Sequence, residues 1–477
     1  MAKDNKFSIK LSDFYQGFSP AAHLNTMTSI GNAGHCSEMT NADVLTPDYI
    51  TQGPTLANLT NGTQAGVVSE LINYILDVAV ATDTTYGIGN TKLFKITSAT
   101  VASGGTPSFP VTITGGVAGK SVAYLKGKLY YFFNRAADSA IGVYDLATTF
   151  DHSWQTGLEK ATLMPVATKE DILIWGHGRY VGTYFSSTEV INKTKLDFGD
   201  NHEVADICFH ANQWIIGVNG GIEGSRNHSQ IYTYEGGATT ALLSDEAAVG
   251  LQKIGFIFPD NGIIYVAYQD LTFTGGYKIG YLSGRKIEPL VHFKGSLPTY
   301  AQKTLYKNTI LFLSSGLIYA AGAVIPELPF AISQLADGGY ATCGALAAPF
   351  GTPIVASTDG STNFRLAKFS GYDVACDWKS IVIPIGSGRT LGHIDEIIVK
   401  TVTLGENARC DMTIQYNQAG TSSSAMSITT TGKTRHLFKL SKNDLEDIRV
   451  YLDWAEGNAT NDCKIKDILI SGHYILR

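Results

Sequence analysis

The chain has 477 residues, with 36 basic and 42 acidic side chains and a formal net charge of -6. A mildly acidic chain without a run of lysine or arginine is a poor partner for nucleic acid or an anionic membrane surface, so both are set aside as primary functions. Glycine (50), tyrosine (24) and phenylalanine (21) are frequent, whereas charged residues make up only 16%. This composition favours strands and tight turns. We therefore expect an all-β protein of more than one structural unit.

Residues 1–65 are rich in Ser, Thr, Asn, Gly and Pro around isolated aromatic residues. The first ten residues lack the apolar stretch of a secretion signal, which predicts folding in a reducing cytoplasm. Because the segment has too little apolar surface for its own core, we expect an extended arm that lies along the rest of the protein or binds a partner chain. Its candidate partner-binding residues are Phe14, Tyr15, Phe18 and Pro20. The alternative is that the segment supplies a strand that closes a ring.

Residues 66–377 contain a repeat, a short strand that ends in an aromatic residue after a turn rich in Gly, Asn or Asp. The seven copies end at Phe94, Tyr144, Tyr184, Tyr234, Tyr281, Tyr319 and Phe369, with spacings of 38 to 50 residues. This period is typical of the blades of a β-propeller.

Strongly apolar strands precede many of these copies, at residues 122–125, 129–133, 172–175, 214–218, 263–266, 310–313 and 353–356. A continuous apolar strand indicates burial on both faces, as for inner blade strands packed between neighbours. We predict a propeller of about seven blades, with six or eight as the other counts. A set of unrelated hairpins, or a β-sandwich, is the alternative interpretation.

The apolar stretch from Thr309 to Ile332 has nearly the length of a membrane span. Its middle, Ser314-Ser315-Gly316, indicates a hairpin turn, and Pro326 and Glu327 interrupt the remainder. We therefore predict two buried strands and no membrane insertion.

Two segments approach known motifs. Residues 114–121 end in the Gly-Lys-Ser of a phosphate-binding loop, but Thr114 replaces the first glycine and a strand follows where a helix is required. Residues 357–364 approximate the Asp box of sialidases, with Gly360 directly after Asp359. We interpret the first as a strand connector and the second as a turn.

From about residue 378 the apolar positions alternate with period two, as in Cys410, Met412, Ile414 and Tyr416. Alternation over about 100 residues, with turns rich in Gly and Ser, predicts an antiparallel β-sandwich. Residues 378–477 are therefore expected to form a separate domain.

The sequence offers no pattern of a catalytic, cofactor or metal site. Six cysteines lack the spacing of zinc ligands or a redox dithiol and are interpreted as small buried groups: Cys36, Cys208, Cys343, Cys376, Cys410 and Cys463. The histidines at 152, 177, 202, 210 and 228 include no pair at metal-ligand helical spacing. No spacing identifies an acid and base pair, and no Gly-x-Ser-x-Gly elbow occurs.

Several N-terminal runs carry a resemblance: residues 18–20 (Phe-Ser-Pro), 31–35 (Gly-Asn-Ala-Gly-His), 45–49 (Leu-Thr-Pro-Asp-Tyr) and 51–60, which begins Thr-Gln-Gly-Pro. With the aromatic blades and the terminal sandwich, the chain resembles the propeller-type structural proteins of tailed-bacteriophage virions, including tail nozzle and hub proteins. The resemblance implies rings of several copies that serve as conduit and attachment platform without catalysis. It assigns no functional residue.

Three hypotheses follow. The first is a structural virion subunit, made in the host cytoplasm, that binds other virion proteins in a homo-oligomeric ring with large interfaces. The second is a glycan- or receptor-binding protein, which predicts an exposed cluster of Trp and Tyr. The third is a glycosidase, which predicts paired carboxylates with perturbed pKa values in the propeller channel.

Overall fold

The structure is a computed structural model. It describes residues 6–12, 14, 36–45, 48–65, 70–81, 83–220, 222–223, 226–227, 229–237, 242–245, 251–260, 262–270, 275–284, 286–322, 331–337, 342–358, 363–386, 389–418, 421–454 and 460–476. Five strands precede the repeat region: β1 Lys6–Leu11, β2 Cys36–Thr40, β3 Ala42–Asp43, β4 Thr51–Gln52 and β5 Thr55–Ala65.

Seven four-stranded antiparallel sheets then follow one another in the described part of the chain. The strands of each blade are given from the inner to the outer one. Blade 1 comprises β6 Ile72–Ile75, β7 Thr84–Gly89, β8 Lys92–Thr97 and β9 Val111–Thr112, and blade 2 comprises β10 Ala118–Leu125, β11 Lys128–Asn134, β12 Ser139–Tyr144 and β13 Phe150–Leu158. Blade 3 comprises β14 Val166–Lys169, β15 Ile172–His177, β16 Tyr180–Phe185 and β17 Val190–Asp197. Blade 4 comprises β18 Glu203–His210, β19 Gln213–Asn219, β22 Gln230–Tyr234 and β23 Leu242–Asp245, with the small hairpin β20 Ile222–Glu223 and β21 Arg226–Asn227 inserted.

The last three blades complete the ring. Blade 5 comprises β24 Leu251–Asp260, β25 Ile263–Asp270, β26 Gly276–Ser283 and β27 Lys286–Lys294, and blade 6 comprises β28 Lys303–Tyr306, β29 Thr309–Ser314, β30 Leu317–Gly322 and β31 Ala331–Asp337. Blade 7 comprises β32 Thr342–Ala347, β33 Ile354–Thr358, β34 Asn363–Ser370 and, from the N-terminal segment, β5. A short 3-10 helix, Tyr300–Gln302, precedes blade 6. The inner strand of blade 7 packs on that of blade 1. The prediction of a propeller of about seven blades is confirmed.

The sequence repeat marks the same position in every blade. Each of the seven predicted aromatic-ended segments lies in the third strand of its blade, β8, β12, β16, β22, β26, β30 or β34. The apolar strands before them are second strands, except residues 122–125, which belong to the inner strand β10. Their side chains form hydrophobic clusters between adjacent blades, which is why these strands are apolar on both faces.

Hydrogen bonds from buried asparagine side chains link neighbouring blades at the end of the second strand. Asn134 faces Ser139 across the hairpin, and its Nδ2 donates to the Ala161 carbonyl at 2.8 Å. Asn219 occupies the same position in blade 4: its Nδ2 donates to the Ile254 carbonyl at 3.1 Å, and its Oδ1 accepts from the Ile254 amide at 2.6 Å. Buried polar groups are satisfied in this way while the blades are held in register.

The C-terminal unit is the predicted antiparallel sandwich. Its strands are β35 Asp377–Ser380, β36 Ile383–Pro384, β37 Thr390–Thr401, β38 Cys410–Tyr416, β39 Thr421–Ser422, β40 Met426–Ile428, β41 Arg435–Leu445, β42 Asp447–Asp453 and β43 Ile465–Leu476. One sheet has the order β1-β43-β37-β41 and the other β2-β35-β42-β38-β39, with β36 beside β42 and β40 beside β38. Trp378 and Trp454 are fully buried in the core between the sheets.

The N-terminal segment corrects the expectation of an extended arm over residues 1–65. In the described residues, β1 and β2 each complete one sheet of the sandwich, and β5 pairs with β34 as the outer strand of blade 7. The alternative of a ring-closing strand is therefore right, and the segment also belongs to the second domain. A strand in an isolated arm has no sheet to pair with and is unstable in water. β1, β2 and β5 are stable because each pairs with a larger sheet that has a hydrophobic face.

Residues 309–322 of the apolar stretch that approaches the length of a membrane span form a hairpin, whereas Pro326 and Glu327 lie outside the described residues. β29 and β30 pair from Ile310 to Ser314, and Ser315 and Gly316 form the turn with positive φ angles of 51° and 83°. Among the described residues, no helix is long and apolar enough to cross a membrane.

Candidate functional site

A groove opens between the outer strands of blades 2 and 3, and we call it the blade 2–3 groove. Its volume is about 420 Å³. Its walls combine aromatic, aliphatic, acidic and basic side chains: Lys128, Tyr130, Val143, Asp145, Thr149, Asp151, Trp154, Tyr184, Glu189 and Ile191. A concave site with an apolar floor and a few polar groups is the usual form of a small-ligand site.

Three aromatic rings form the floor of the blade 2–3 groove. The Trp154 ring lies 5.1 Å from Tyr130 and 5.1 Å from Tyr184 between centroids, in edge-to-face contacts. Tyr130 and Tyr184 are buried, whereas Trp154 is only half-buried. Such contacts hold the indole at a fixed angle, with part of its surface open to solvent.

An irregularity in strand pairing gives Trp154 its direction. β13 pairs with β12 at Val143–Asp151 and at Ile141–Gln155, so the register shifts between these pairs. Phe150 packs in the cluster toward blade 1, whereas Trp154 packs in the cluster toward blade 3. Bulged strands commonly re-aim a side chain in this manner.

Exposed charged groups surround the aromatic floor. Asp145 Oδ1 accepts from the amides of Ala147, Thr148 and Thr149 at 2.8 to 2.9 Å, and these backbone hydrogen bonds lower the pKa of the carboxyl. Asp151 Oδ1 accepts from the Ser153 amide at 2.9 Å. The carboxylates present acceptors and Lys128 a donor, the polar groups that bind hydroxyl-rich ligands.

The inner strands carry a second polar cluster, centred on a buried ion pair. Asp206 of blade 4 pairs with Lys303 of blade 6, and their side chains are 4% and 13% exposed. Asp206 also accepts from the amides of Ile207 at 2.9 Å and Ile257 at 2.6 Å, and Lys303 donates to the Ile257 carbonyl. Burial raises the pKa of Asp206, and the charge of Lys303 offsets part of that rise.

Two further inner-ring carboxylates contact other blades. Glu203 accepts from the amides of Thr162 and Leu163 at 2.7 and 2.8 Å. Asp77 of blade 1 accepts from the Thr304 hydroxyl at 2.8 Å and from the Ala348 amide at 3.0 Å. Glu203 thus links blade 4 to the segment before blade 3, and Asp77 links blade 1 to blades 6 and 7.

Tyr300 crosses the centre of the propeller. Its hydroxyl donates to the Lys120 carbonyl of blade 2 at 2.9 Å, and its ring lies 5.8 Å from that of Tyr74 in blade 1. Burial raises the pKa of both phenols. The side chain therefore bridges blade 6 to blade 2 across the ring.

The predicted partner-binding residues have different outcomes. Phe14 is 1% exposed and packs edge-to-face on Trp378 in the sandwich core at 5.2 Å. Its role as a partner contact is therefore corrected: burial of an aromatic ring in this core satisfies it within the chain. Tyr15, Phe18 and Pro20 lie outside the described residues.

The other singled-out residues are structural where they are described. The loop resembling a phosphate site leads into β10, and Lys120 Nζ donates to the Thr162 carbonyl at 2.9 Å. His177 is buried, accepts from the Glu159 amide at 3.1 Å and contacts the Lys193 carbonyl at 2.7 Å. The cysteines are unpaired, and all but Cys208 are buried. Asp359 and His228 lie outside the described residues.

Sequence reasoning missed two groups of residues. Trp154, Tyr184 and Glu189 converge in the blade 2–3 groove from three separate elements, so no local pattern announces them. His393 and Asp395, two residues apart on β37, meet His473 of β43 on the sandwich surface. Their signal is the His-x-Asp spacing, which places two side chains on one face of a strand.

Comparisons with known proteins give likenesses of fold. No family model and no curated protein matches the chain. Among solved structures, an extracellular domain from B. thetaiotaomicron is similar with 12% identity, a TM-score of 0.47, and coverage of 80% of this chain and 48% of that one. The tricorn protease follows with 11% identity, a TM-score of 0.43, and coverage of 64% and 34%. An exo-β-1,3-galactanase from Phanerochaete chrysosporium has 10% identity, a TM-score of 0.31, and coverage of 66% and 96%.

The chain spans about half the length of the B. thetaiotaomicron domain that it matches. Identities and TM-scores this low carry no information about function.

Proposed function

We propose that the protein is a non-catalytic structural subunit of a tailed-phage virion, in a nozzle, hub or adaptor position, that assembles with itself and with neighbouring virion proteins. The supporting observation is the junction between the two domains. It is formed by residues 41–45 and 48–53, which overlap two of the runs that carry the resemblance to virion proteins, 45–49 and the start of 51–60.

The junction segment contacts both domains. Leu45 is buried with Leu335 and Phe369 of the propeller, whereas Ile50 is buried in the sandwich core and exchanges two 2.9 Å backbone hydrogen bonds with Ile465. Asn41 Nδ2 donates to Asp373 Oδ2 at 2.8 Å. These contacts join the propeller and the sandwich on both sides of one short segment.

Close backbone approach makes Gly53 necessary in this segment. A Cβ at Gly53 would lie 2.1 Å from the Leu335 carbonyl oxygen and 2.4 Å from that of Asn41. The Gly53 amide donates to Asn41 at 2.6 Å, and its carbonyl accepts from Asp373 at 2.8 Å. The Gln-Gly-Pro run thus serves domain architecture. A fixed two-domain block suits a particle subunit, whose contacts with neighbours require constant geometry.

The experiment is a mass measurement of the full chain by light scattering, with electron microscopy of the same sample. We expect closed rings of several 51.2 kDa subunits. Immunolabelling of particles that carry this gene then distinguishes tail from capsid. A chain that stays monomeric, is absent from particles and hydrolyses chromogenic glycosides would contradict the proposal.

The blade 2–3 groove favours a second candidate function, binding of a glycan. A half-buried indole can stack on the C–H face of a sugar ring while Asp145, Asp151, Glu189 and Lys128 hydrogen-bond its hydroxyls. This role is compatible with a virion subunit that contacts a host surface.

Trp154 makes the glycan hypothesis measurable. The chain has five tryptophans, and the other four are buried, so a ligand in the blade 2–3 groove changes the fluorescence of Trp154 selectively. We expect Trp154→Ala to weaken binding of an oligosaccharide found on an array by about 30-fold, roughly 2 kcal/mol. Val190, which is exposed beside the groove and outside its lining, supplies the control Val190→Ala. Equal binding by both variants would exclude the blade 2–3 groove as the glycan-binding site.

A further inference from the structure

Two histidines and an aspartate converge on the outer face of the sandwich. His393 of β37 stands directly opposite His473 of β43, and their rings are 4.6 Å apart between centroids. Asp395 lies two residues beyond His393, with Oδ1 3.3 Å from His393 Nε2 and Oδ2 3.2 Å from His473 Nδ1. One carboxylate therefore faces a ring nitrogen of each imidazole.

Asn443 of β41 orients the first imidazole. His393 Nδ1 is hydrogen-bonded to the Asn443 Oδ1 atom, and because an amide oxygen only accepts, Nδ1 carries the proton. His393 Nε2 then faces the Asp395 carboxylate, an approach that is favourable when either a proton on Nε2 or a metal ion lies between the two atoms. Metal-ligating histidines are typically held in this way, by an acceptor on the other ring nitrogen.

The spacing of the donor atoms fits a metal ion. Zinc bonds to histidine nitrogen and carboxylate oxygen are about 2.0–2.2 Å long, so neighbouring ligands of a tetrahedral ion are about 3.3–3.5 Å apart. The two nitrogen–oxygen distances, 3.3 and 3.2 Å, are close to this range. All the ligand atoms lie within 4.8 Å of one another.

We propose that His393, Asp395 and His473 form a binding site for a divalent transition-metal ion, with Zn²⁺ as the expected occupant. Two imidazoles and one carboxylate suit zinc, nickel or copper, whereas calcium and magnesium prefer oxygen ligands alone. Because His393 and His473 are cross-strand partners, the ion links β37 to β43. β43 also pairs with β1, so the metal stabilises the sheet that contains this strand.

The test uses the full chain without an affinity tag, titrated with Zn²⁺ by calorimetry and with Co²⁺ by visible absorption, which reports coordination geometry. We expect one ion per chain, a raised Tm with Zn²⁺ and little effect of Ca²⁺. His473→Ala and Asp395→Asn are expected to weaken Zn²⁺ binding by more than about 100-fold, and Asn443→Ala by about tenfold, as for loss of an outer hydrogen bond.

The matched control is His202→Ala, because His202 lies in the propeller and contacts the backbone carbonyls of Gly199 and Asp200. It is expected to bind Zn²⁺ like the unaltered chain. The unliganded Tm of Asp395→Asn, an isosteric change, checks that the variant is folded. Absence of Zn²⁺ binding by the unaltered chain, or equal binding by the Asp395→Asn and control variants, would overturn the proposal.

Discussion

The propeller and the sandwich are both all-β, but they are built from different kinds of contact. Blades 1, 2, 3, 5 and 6 pair strands that follow one another along the chain, such as β28 to β31, and blade 4 does so around its inserted hairpin. The sandwich instead joins the two ends of the chain, with Lys6 opposite His473 and Cys36 opposite Ser380. Local pairing that recurs from blade to blade leaves a repeat in the sequence, whereas pairing between the two ends of the chain leaves no repeat.

Blade 7 combines both kinds of contact, pairing between consecutive strands and pairing between distant parts of the chain. Three of its strands are consecutive, and the fourth, β5, comes from about 300 residues earlier in the chain. A closed ring needs a last contact of this type, because no further blade covers its edge. Substitutions that affect the long-range contacts should therefore have larger consequences than those within a blade.

The largest effect is expected at the junction. Gly53→Ala places a Cβ against the carbonyl oxygens of Leu335 and Asn41, which are backbone atoms and cannot move without disturbing both domains. We expect a loss of about 4 kcal/mol or more in the free energy of unfolding, measured by denaturant titration. Gly237→Ala is the control, because a Cβ there meets nothing within 4 Å. Similar stability of the two variants would contradict the account of the junction.

The next largest loss of stability is expected from a substitution in the core of the sandwich alone. Phe14→Ala removes a fully buried ring that packs on Trp378, so we expect a loss of about 3–5 kcal/mol. Near-ultraviolet circular dichroism during thermal unfolding measures it. If Phe14 instead served a partner, the variant would keep its stability and lose only assembly.

The buried ion pair tests the inner ring. Lys303→Met leaves the Asp206 carboxylate without its cation, which we expect to cost about 3 kcal/mol at pH 7. The double variant Asp206→Leu with Lys303→Met is expected to recover part of this loss. If the double variant is no more stable than Lys303→Met, the uncompensated charge is not the cause.

The same variant has a predicted pH dependence. Burial raises the pKa of Asp206 in the folded chain, and removal of Lys303 raises it further. A carboxyl whose pKa is raised on folding contributes stability below its unfolded pKa of about 3.9, and this contribution is lost as the pH rises through the folded pKa. The deficit of Lys303→Met should therefore shrink as the pH is lowered from 7 toward 4. A deficit that grows instead would reverse this assignment.

The smallest effect lies within one blade. Gly142 of β12 sits under the Tyr131 ring of β11, and a Cβ there would lie 2.1 Å from the ring. We expect Gly142→Ala to cost about 1–3 kcal/mol because the ring must shift. Thermal unfolding measures the change against Gly237→Ala. An unchanged Tm would show that the ring moves freely.

The sequence predicts the parts of the fold that depend on local pattern. The aromatic residues from Phe94 to Phe369 mark the third strand of all seven blades, because each blade presents the same packing problem. The alternation from Cys410 to Tyr416 likewise matches a strand with one buried face. Residues 1–65 have no such periodicity, because their described strands complete sheets whose other strands come from distant parts of the chain.

The blade 2–3 groove could not be predicted for a related reason. Strict alternation along β13 would place Phe150 and Trp154 on the same face, but the shifted register directs them to different neighbouring blades. Tyr184 and Glu189 reach the groove from blade 3, and only the propeller geometry brings them to Trp154.

Hydrogen exchange at the junction tests most directly whether the chain is one two-domain block. The amides of Ile50, Gly53, Asp373 and Ile465 all donate to backbone carbonyls across this segment. We predict that they are as protected as the amides of β29 and β42, and that they exchange only when one of the domains unfolds. Exchange at the rate of exposed loops, while both sets of core strands stay protected, would show two independent domains and contradict the account.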